Sequence, residues 1–122
     1  MSSIKKVNLG SYDEIYLVDP KEILYIKAED HYCQVTYYSG LSFMLPHGLG
    51  QLEETFINNY GIDFLKRFGR KYIININYIV YASTIKQLLV LGDASGKRHS
   101  LRISKPVLRE FIDSNRIAEN EL

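Results

Sequence analysis

Along the first forty-five residues, short β-favouring apolar runs without helical periodicity are separated by polar breaks. Glu14 to Val18 (EIYLV), Ile23 to Ala28 (ILYIKA) and Tyr32 to Tyr38 (YCQVTYY) each predict a strand of five to seven residues. Asp19 and Pro20 break the chain between the first two, and Glu29, Asp30 and His31 break it between the second and third. Ser39 and Gly40 then turn it into Leu41 to Leu45, completing a hairpin. The pattern changes after Pro46 and Gly48. Leu49, Leu52, Phe56, Ile57 and Tyr60 recur at helical spacing, with Glu53, Glu54, Asn58 and Asn59 left for solvent. This predicts a short amphipathic helix ending near Gly61. So short a helix is marginal alone, and its apolar face must rest on a sheet.

Beyond it, Phe64 to Arg67 and Tyr72 to Ile76 read as extended pieces interrupted by Gly69. Ile85 to Leu91 and His99 to Ile103 predict a second hairpin across Gly92, Asp93, Ala94, Ser95 and Gly96. Ser104 or Lys105 starts a closing helix, with Pro106 in its first turn and Val107, Leu108, Phe111 and Ile112 on one face. The residues after Asn115 read as an acidic, polar tail that frays. No internal repeat, linker or low-complexity segment interrupts the chain.

Composition narrows the class. Ten tyrosines and many isoleucines favour strands. A chain of 122 residues is expected to be one domain, residues 1–122, with a core over about 7–115 and a tail over 116–122. Hydrophobic content of 46% and charged content of 24% are ordinary for a globular protein. No apolar run approaches the roughly 20 residues of a spanning helix. The start, MSSIKKVNLG, lacks the apolar stretch of a secretory signal, so the chain is expected to stay in the cytoplasm with no membrane partner. Cys33 is the only cysteine, which excludes an internal disulfide and a cysteine-rich zinc site. Its alternating surroundings make it a small strand residue, with a redox or intersubunit role as the alternative.

Catalytic chemistry is thin. His31, His47 and His99 are widely spaced and form no HxH, HExxH or HxxxH pair that would hold a metal. Asp30 and His31 are adjacent, and neighbours on a strand point to opposite faces, which weakens them as an acid–base pair. There is no GxxxxGK[ST] loop and no GxSxG elbow. Gly48-Leu49-Gly50 precedes a helix without the strand-and-switch setting of a phosphate cradle. The expectation is a non-enzyme with no cofactor, no metal and no small-molecule substrate.

Binding chemistry is better supplied. Phe64 to Asn77 (FLKRFGRKYIININ) carries Lys66, Arg67, Arg70 and Lys71 and no carboxylate, in a chain whose net charge is only +1. A second basic group, Lys97, Arg98, Arg102, Lys105 and Arg109, has no acid from Lys97 through Arg109. Cations at the ends of rigid strands are an electrostatic footprint for phosphate. The plainer reading is that they solubilise sheet edges, and spacing alone leaves both open.

The order of these pieces resembles the LytTR-type DNA-binding domain, the effector half of many bacterial two-component response regulators. The resemblance rests on Ile23 to Tyr32 (ILYIKAEDHY), on the short helix around Leu52 to Phe56, and most specifically on Phe64 to Ile79 (FLKRFGRKYIININYI). Leu101 to Phe111 (LRISKPVLREF) also fits, so it covers about Val7 to Asn115. It implies a mainly β fold: an elongated arrangement of small, mostly antiparallel sheets with one short amphipathic helix and a C-terminal helix. It also implies sequence-specific binding of double-stranded DNA by loops inserted into successive major grooves. Carried over by position, those loops supply Asp30, His31 and Tyr32, then Arg67, Arg70 and Lys71, then Arg102, Ser104 and Lys105. Arg or Lys there would donate to guanine O6 and N7.

Other motif residues read as structural. Asn75 and Asn77 share a strand face, and at least one is expected to hydrogen-bond backbone. Tyr25, Tyr72, Ile73 and Ile79 read as packing residues, and Phe64 as an anchor beneath the basic loop. Gly69 and Arg70 depart from the family's usual pairing, which bears on base preference. The chain is expected to be a solitary module without a receiver domain, an excised effector domain being the other reading. Occupancy would then be set by self-association, a partner regulator or concentration, with Tyr37, Tyr38 and Tyr81 as exposed contact candidates or sheet-surface packing. Two further readings stand beside DNA binding: a protein-interaction module docking on another regulator, and an RNA binder.

Overall fold

The computed structural model describes residues 6–120, so residues 1–5 of the start and residues 121–122 of the expected tail lie outside it. The first described elements are a short antiparallel pair, β1 (Val7–Asn8) and β2 (Leu17–Val18). The strand expected over Glu14 to Val18 is therefore mostly hairpin. The Leu9 N–H donates to Tyr16 O at 2.8 Å and the Ser11 N–H to Glu14 O at 2.7 Å, which closes the loop tightly. A Cβ on Gly10 would come 2.3 Å from Glu14 O, so only glycine fits this crossing.

A 3-10 turn, Pro20–Glu22, leads into the main sheet. Its strands are β3 (Ile23–Glu29), β4 (Tyr32–Tyr37), β5 (Ser42–Leu45), β6 (Leu65–Phe68) and β7 (Tyr72–Asn75), in the order β5-β4-β3-β7-β6 and all antiparallel. A second, three-stranded antiparallel sheet consists of β8 (Ile79–Ser83), β9 (Leu88–Gly92) and β10 (Arg98–Arg102). The expected mainly β class, with small antiparallel sheets and two helical segments, is the class observed.

The main sheet is buried on both faces, and this is why its central strands read as nearly continuous apolar runs. One face, with Ile23, Ile26, Cys33, Val35, Leu45, Leu65 and Ile73, packs beneath the β1–β2 pair and the helix. That helix is α1 (Leu49–Leu52), continuing without a break as a π-helix over Glu53–Asn59. It carries Leu52 and Phe56 into the core, as the spacing predicts. The other face, with Leu24, Phe68, Tyr72 and Ile74, packs against Leu89, Leu91, Leu101 and Ile103 of the second sheet and Leu108 of α2 (Lys105–Asn120). In β3, Ile23 and Ile26 share one face while Leu24 goes to the other. A register shift between Ile23 and Tyr25 produces this break in alternation.

Some expectations change. β8 escaped prediction because Val80 and Tyr81 are both exposed, so its pattern does not alternate against a core. β9 starts at Leu88 because Thr84 to Gln87 is a turn, with Gln87 at φ 52° and its N–H donating to Thr84 O. Tyr37 and Tyr38 are half-buried, not exposed: the Tyr37 hydroxyl accepts the Asp19 N–H at 3.0 Å, and the Tyr38 ring stacks on Tyr78 at 4.2 Å between centroids. Tyr81 does remain exposed. Cys33 is fully buried, and burial pushes its thiol up, which suits a packing residue.

Two buried polar groups hold the layers. Asn75 donates through Nδ2 to Ile23 O at 2.9 Å and accepts the Asn77 N–H at Oδ1 at 3.0 Å. Asn77 itself sits in the 3-10 turn Ile76–Tyr78, so the two asparagines do not share a strand face. Asp93, in the β9–β10 turn, accepts at Oδ1 from Ser95 N (2.9 Å), Ser95 Oγ (2.7 Å) and Lys97 N (3.0 Å), and His99 Nε2 lies 2.9 Å from its Oδ2. The His99 bond first, then the Ser95 hydroxyl and the two amides, hold the Asp93 carboxyl well below the usual carboxylate range.

Two outcomes are expected from these groups. Asn75→Ala should destabilise by about 1–3 kcal/mol in urea unfolding, because it orphans the buried Ile23 carbonyl, whereas Asn77→Ala should change stability by less than about 0.5 kcal/mol. Equal effects would show that Asn75 does not pin the sheet. The depressed Asp93 carboxyl stabilises the fold above its unfolded pKa of about 3.9, and that contribution fades as pH falls toward the folded value. Unfolding midpoints measured from neutral pH downward should therefore fall less steeply in acid for Asp93→Asn than for the wild type. Parallel acid limbs would remove Asp93 as the group responsible.

Candidate nucleic-acid interface

Register decides where the basic loops emerge. Pairing of Glu29 with Tyr32 leaves Asp30 and His31 as a two-residue turn, with Asp30 in the left-handed region at φ 53°. Aspartate tolerates that conformation better than most residues. Pairing of Phe68 with Tyr72 leaves Gly69, Arg70 and Lys71 as the turn between β6 and β7, with Gly69 at φ 75°. β3 and β7 are neighbours: Lys27 pairs with Tyr72, and the Ala28 N–H donates to Lys71 O at 2.8 Å. Both turns therefore leave the main sheet at the same end.

The third segment arrives from the other layer. β10 ends at Arg102, and Ser104 directly precedes α2, its carbonyl accepting the Leu108 N–H at 3.1 Å. A groove of about 430 Å³ separates this junction from the β6–β7 turn, with Arg70 and Lys71 on one wall and Arg102 and Ser104 on the other. Asp30, His31, Tyr32, Arg70, Lys71, Arg102, Ser104 and Lys105 are all exposed.

Arg67 differs. It is half-buried, and its guanidinium donates to Glu53 Oε1 at 2.6 Å and to Gly69 O at 2.8 Å. The basic groups read along the sequence are also divided. Arg98 and Lys97 sit at the far end of β10 from Arg102, roughly 13 Å and roughly 17 Å away at the rise of an extended strand. Arg109 is taken up by Asp113 (3.3 Å) and Thr84 (3.2 Å). Lys66 lies along a different groove, beside Glu110 and Phe111 of α2.

The end of the sheet is thus cationic by arrangement. Arg70, Lys71, Arg102 and Lys105 have no ion-pair partner among the described residues, while the nearby Glu29 carboxylate is 3.7 Å from Lys27. The same end also receives His47, for which no role in binding is assigned. His47 follows β5, its ring meeting Tyr16 edge-on at 6.2 Å, and its Nδ1 is buried with no partner among the described residues. Among the described residues, no group of three or more His, Cys, Asp or Glu side chains is placed to hold a metal, and no helix is long and apolar enough to cross a membrane.

Comparison with known proteins gives two concordant findings. The family model of the LytTr DNA-binding domain matches residues 13–113. The solved LytTr DNA-binding domain of a methyl-accepting/DNA response regulator from Bacillus cereus is similar in fold, with a TM-score of 0.60 and 21% identity over 89% of this chain and 94% of that one. No curated protein matches the sequence.

The β6–β7 turn rests on Gly69. Gly69→Ala should destabilise by about 1–2 kcal/mol, because an L side chain is strained at positive φ, whereas Gly50→Ala in α1 should stabilise by roughly 0.5–1 kcal/mol. Denaturant midpoints of the two variants check this, and no loss for Gly69→Ala would mean that the turn relaxes.

Proposed function

The chain belongs to the LytTR-type DNA-binding domain family, and on that premise we propose that it is a sequence-specific regulator of transcription that reads double-stranded DNA with loops in successive major grooves. The observation that supports this most is the β3–β7 register, which sets the Asp30–His31 and Gly69–Lys71 turns side by side, with Arg102–Lys105 across a groove. The major groove is about 12 Å wide and admits a two-stranded ribbon. Each of the two turns is the tip of such a ribbon, held by a sheet packed on both faces.

In this reading the work is divided by chemistry. Lys71, Arg102 and Lys105 neutralise phosphates and set the domain's orientation, with Ser104 donating its hydroxyl. Arg70, at the tip of its turn, reaches the O6 and N7 of guanine as a fork. Asp30 can only accept, so it suits the exocyclic amino group of cytosine, while His31 and Tyr32 contact a base or the backbone beside it. The protein acts in a bacterial cytoplasm and needs no cofactor. Self-association or a partner regulator sets its occupancy.

Selection of bound duplexes from a random DNA library, with the Arg70→Ala, Lys71→Ala double variant run in parallel at two salt concentrations, tests the proposal. The wild type should recover a shared motif, and its log affinity should fall linearly with log salt. Each phosphate contact removed should reduce that slope by about 0.9, and loss of the Arg70 base contact should relax one position by about 1–3 kcal/mol. Two similar half-sites about one helical turn apart would indicate paired copies. Random recovery would refute duplex readout. Binding that survives high salt and ignores these cations would point to a protein partner, and competition by single-stranded RNA to an RNA ligand.

A further inference from the structure

Of the nine side chains that sequence reasoning assigns to DNA, Arg67 is the one whose guanidinium is already engaged. Its Nη1 donates to Glu53 Oε1 at 2.6 Å, its Nε to Gly69 O at 2.8 Å, and its Nη2 reaches Arg70 O at 3.5 Å. The acceptors come from two places. Glu53 is the first residue of the π-helical segment, and Gly69 and Arg70 are the tip of the β6–β7 turn.

Strand alternation sets the geometry. In β6, Leu65 packs on the face that carries the helix and Phe68 on the opposite face, so Arg67 shares the face of Leu65. The groove formed by Arg70, Lys71 and Arg102 lies on the Phe68 and Tyr72 side. Arg67 is not among the residues that line that groove, and its guanidinium turns toward Glu53. The Lys71 carbonyl is held by the Ala28 N–H of β3, whereas those of Gly69 and Arg70 are met by Arg67, and an arginine fork can hold a carboxylate and two carbonyls at once.

We infer that Arg67 is a positioning residue: with Glu53 as its anchor, it fixes the backbone of the Gly69–Lys71 turn so that Arg70 and Lys71 are presented to DNA in one conformation. Preorganisation of this kind raises affinity by lowering the ordering cost of binding. This rests on the proposed DNA reading, and it gives a result opposite in sign to simple electrostatics. Glu53→Gln removes a negative charge close to the interface, which by charge alone should tighten binding to a polyanion. If Glu53 anchors the turn, the same change should weaken it.

The experiment measures duplex affinity against salt for the wild type, Glu53→Gln and Arg67→Lys, together with backbone ¹⁵N order parameters of Gly69, Arg70 and Lys71 in the free proteins. Both substitutions are close in size to the native residue, and near-ultraviolet circular dichroism checks that each variant is folded. Glu53→Gln and Arg67→Lys should each weaken binding roughly three- to tenfold with an unchanged salt slope. The order parameters should fall from about 0.85 toward about 0.6. Unchanged or tighter binding by Glu53→Gln, wild-type affinity in Arg67→Lys, or a turn that stays rigid in Glu53→Gln would each overturn the inference. If the wild type binds no duplex, the DNA reading fails by itself, and the order parameters still decide whether Arg67 and Glu53 hold the turn.

Discussion

The arrangement depends on one antiparallel ladder, β3 against β7. Tyr25 opposes Ile74, Ile26 opposes Ile73 and Lys27 opposes Tyr72, and both faces of this ladder are covered. A slip of one residue would send every side chain of one strand to the wrong core. Asn75 pins the ladder at its far end through its bond to Ile23 O. The register that keeps Ile73 and Ile74 in their separate cores also sets the turns after β3 and before β7 at the same height. Packing and presentation of the binding loops are one constraint, not two.

The second layer extends this to the third loop. Leu89, Leu91, Leu101 and Ile103 seal the face of the main sheet that Leu24 and Ile74 leave apolar. Phe111 of α2 meets Phe68 edge-on at 5.5 Å, and Tyr38 stacks on Tyr78 across the layers. Because Phe68 directly precedes Gly69, the ring pair that docks α2 also steadies the base of the basic turn. The start of α2 is brought to the groove by the same contacts that bury its apolar stripe. Arg70 and Ser104 thereby come to face each other across one groove.

Much of this was legible in the sequence where local pattern and tertiary environment agree. The strands around ILYIKA and YCQVTYY, the helix from Leu49 and the closing helix around Pro106 all follow from periodicity and punctuation. The resemblance carried by FLKRFGRKYIININYI led to the family. What was not legible depends on distance in space. The run Ile79 to Ser83 shows no alternation because its outward side chains, Val80 and Tyr81, are themselves apolar. The second basic group looks continuous from Lys97 to Arg109, yet an extended strand and a helix carry its members apart. Arg67 looks like its neighbours in sequence, and only strand alternation shows that it turns toward Glu53.

The same division explains how a chain with a net charge of +1 can present a cationic end. Four of its fourteen acidic residues are taken up in ion pairs: Glu53 with Arg67, Asp113 with Arg109, Glu29 with Lys27, and Asp93 with His99. Two of these pairs fix a loop, Glu53 through Arg67 at the Gly69–Arg70 carbonyls and Asp93 in the β9–β10 turn. Arg70, Lys71, Arg102 and Lys105 then face solvent together without an ion-pair partner among the described residues. Electrostatic attraction to a polyanion falls off within about 8–10 Å at ordinary ionic strength, so the local grouping governs binding and the chain total does not. A sequence-wide charge count averages over that length and hides the feature, whereas the fold separates the committed cations from the free ones.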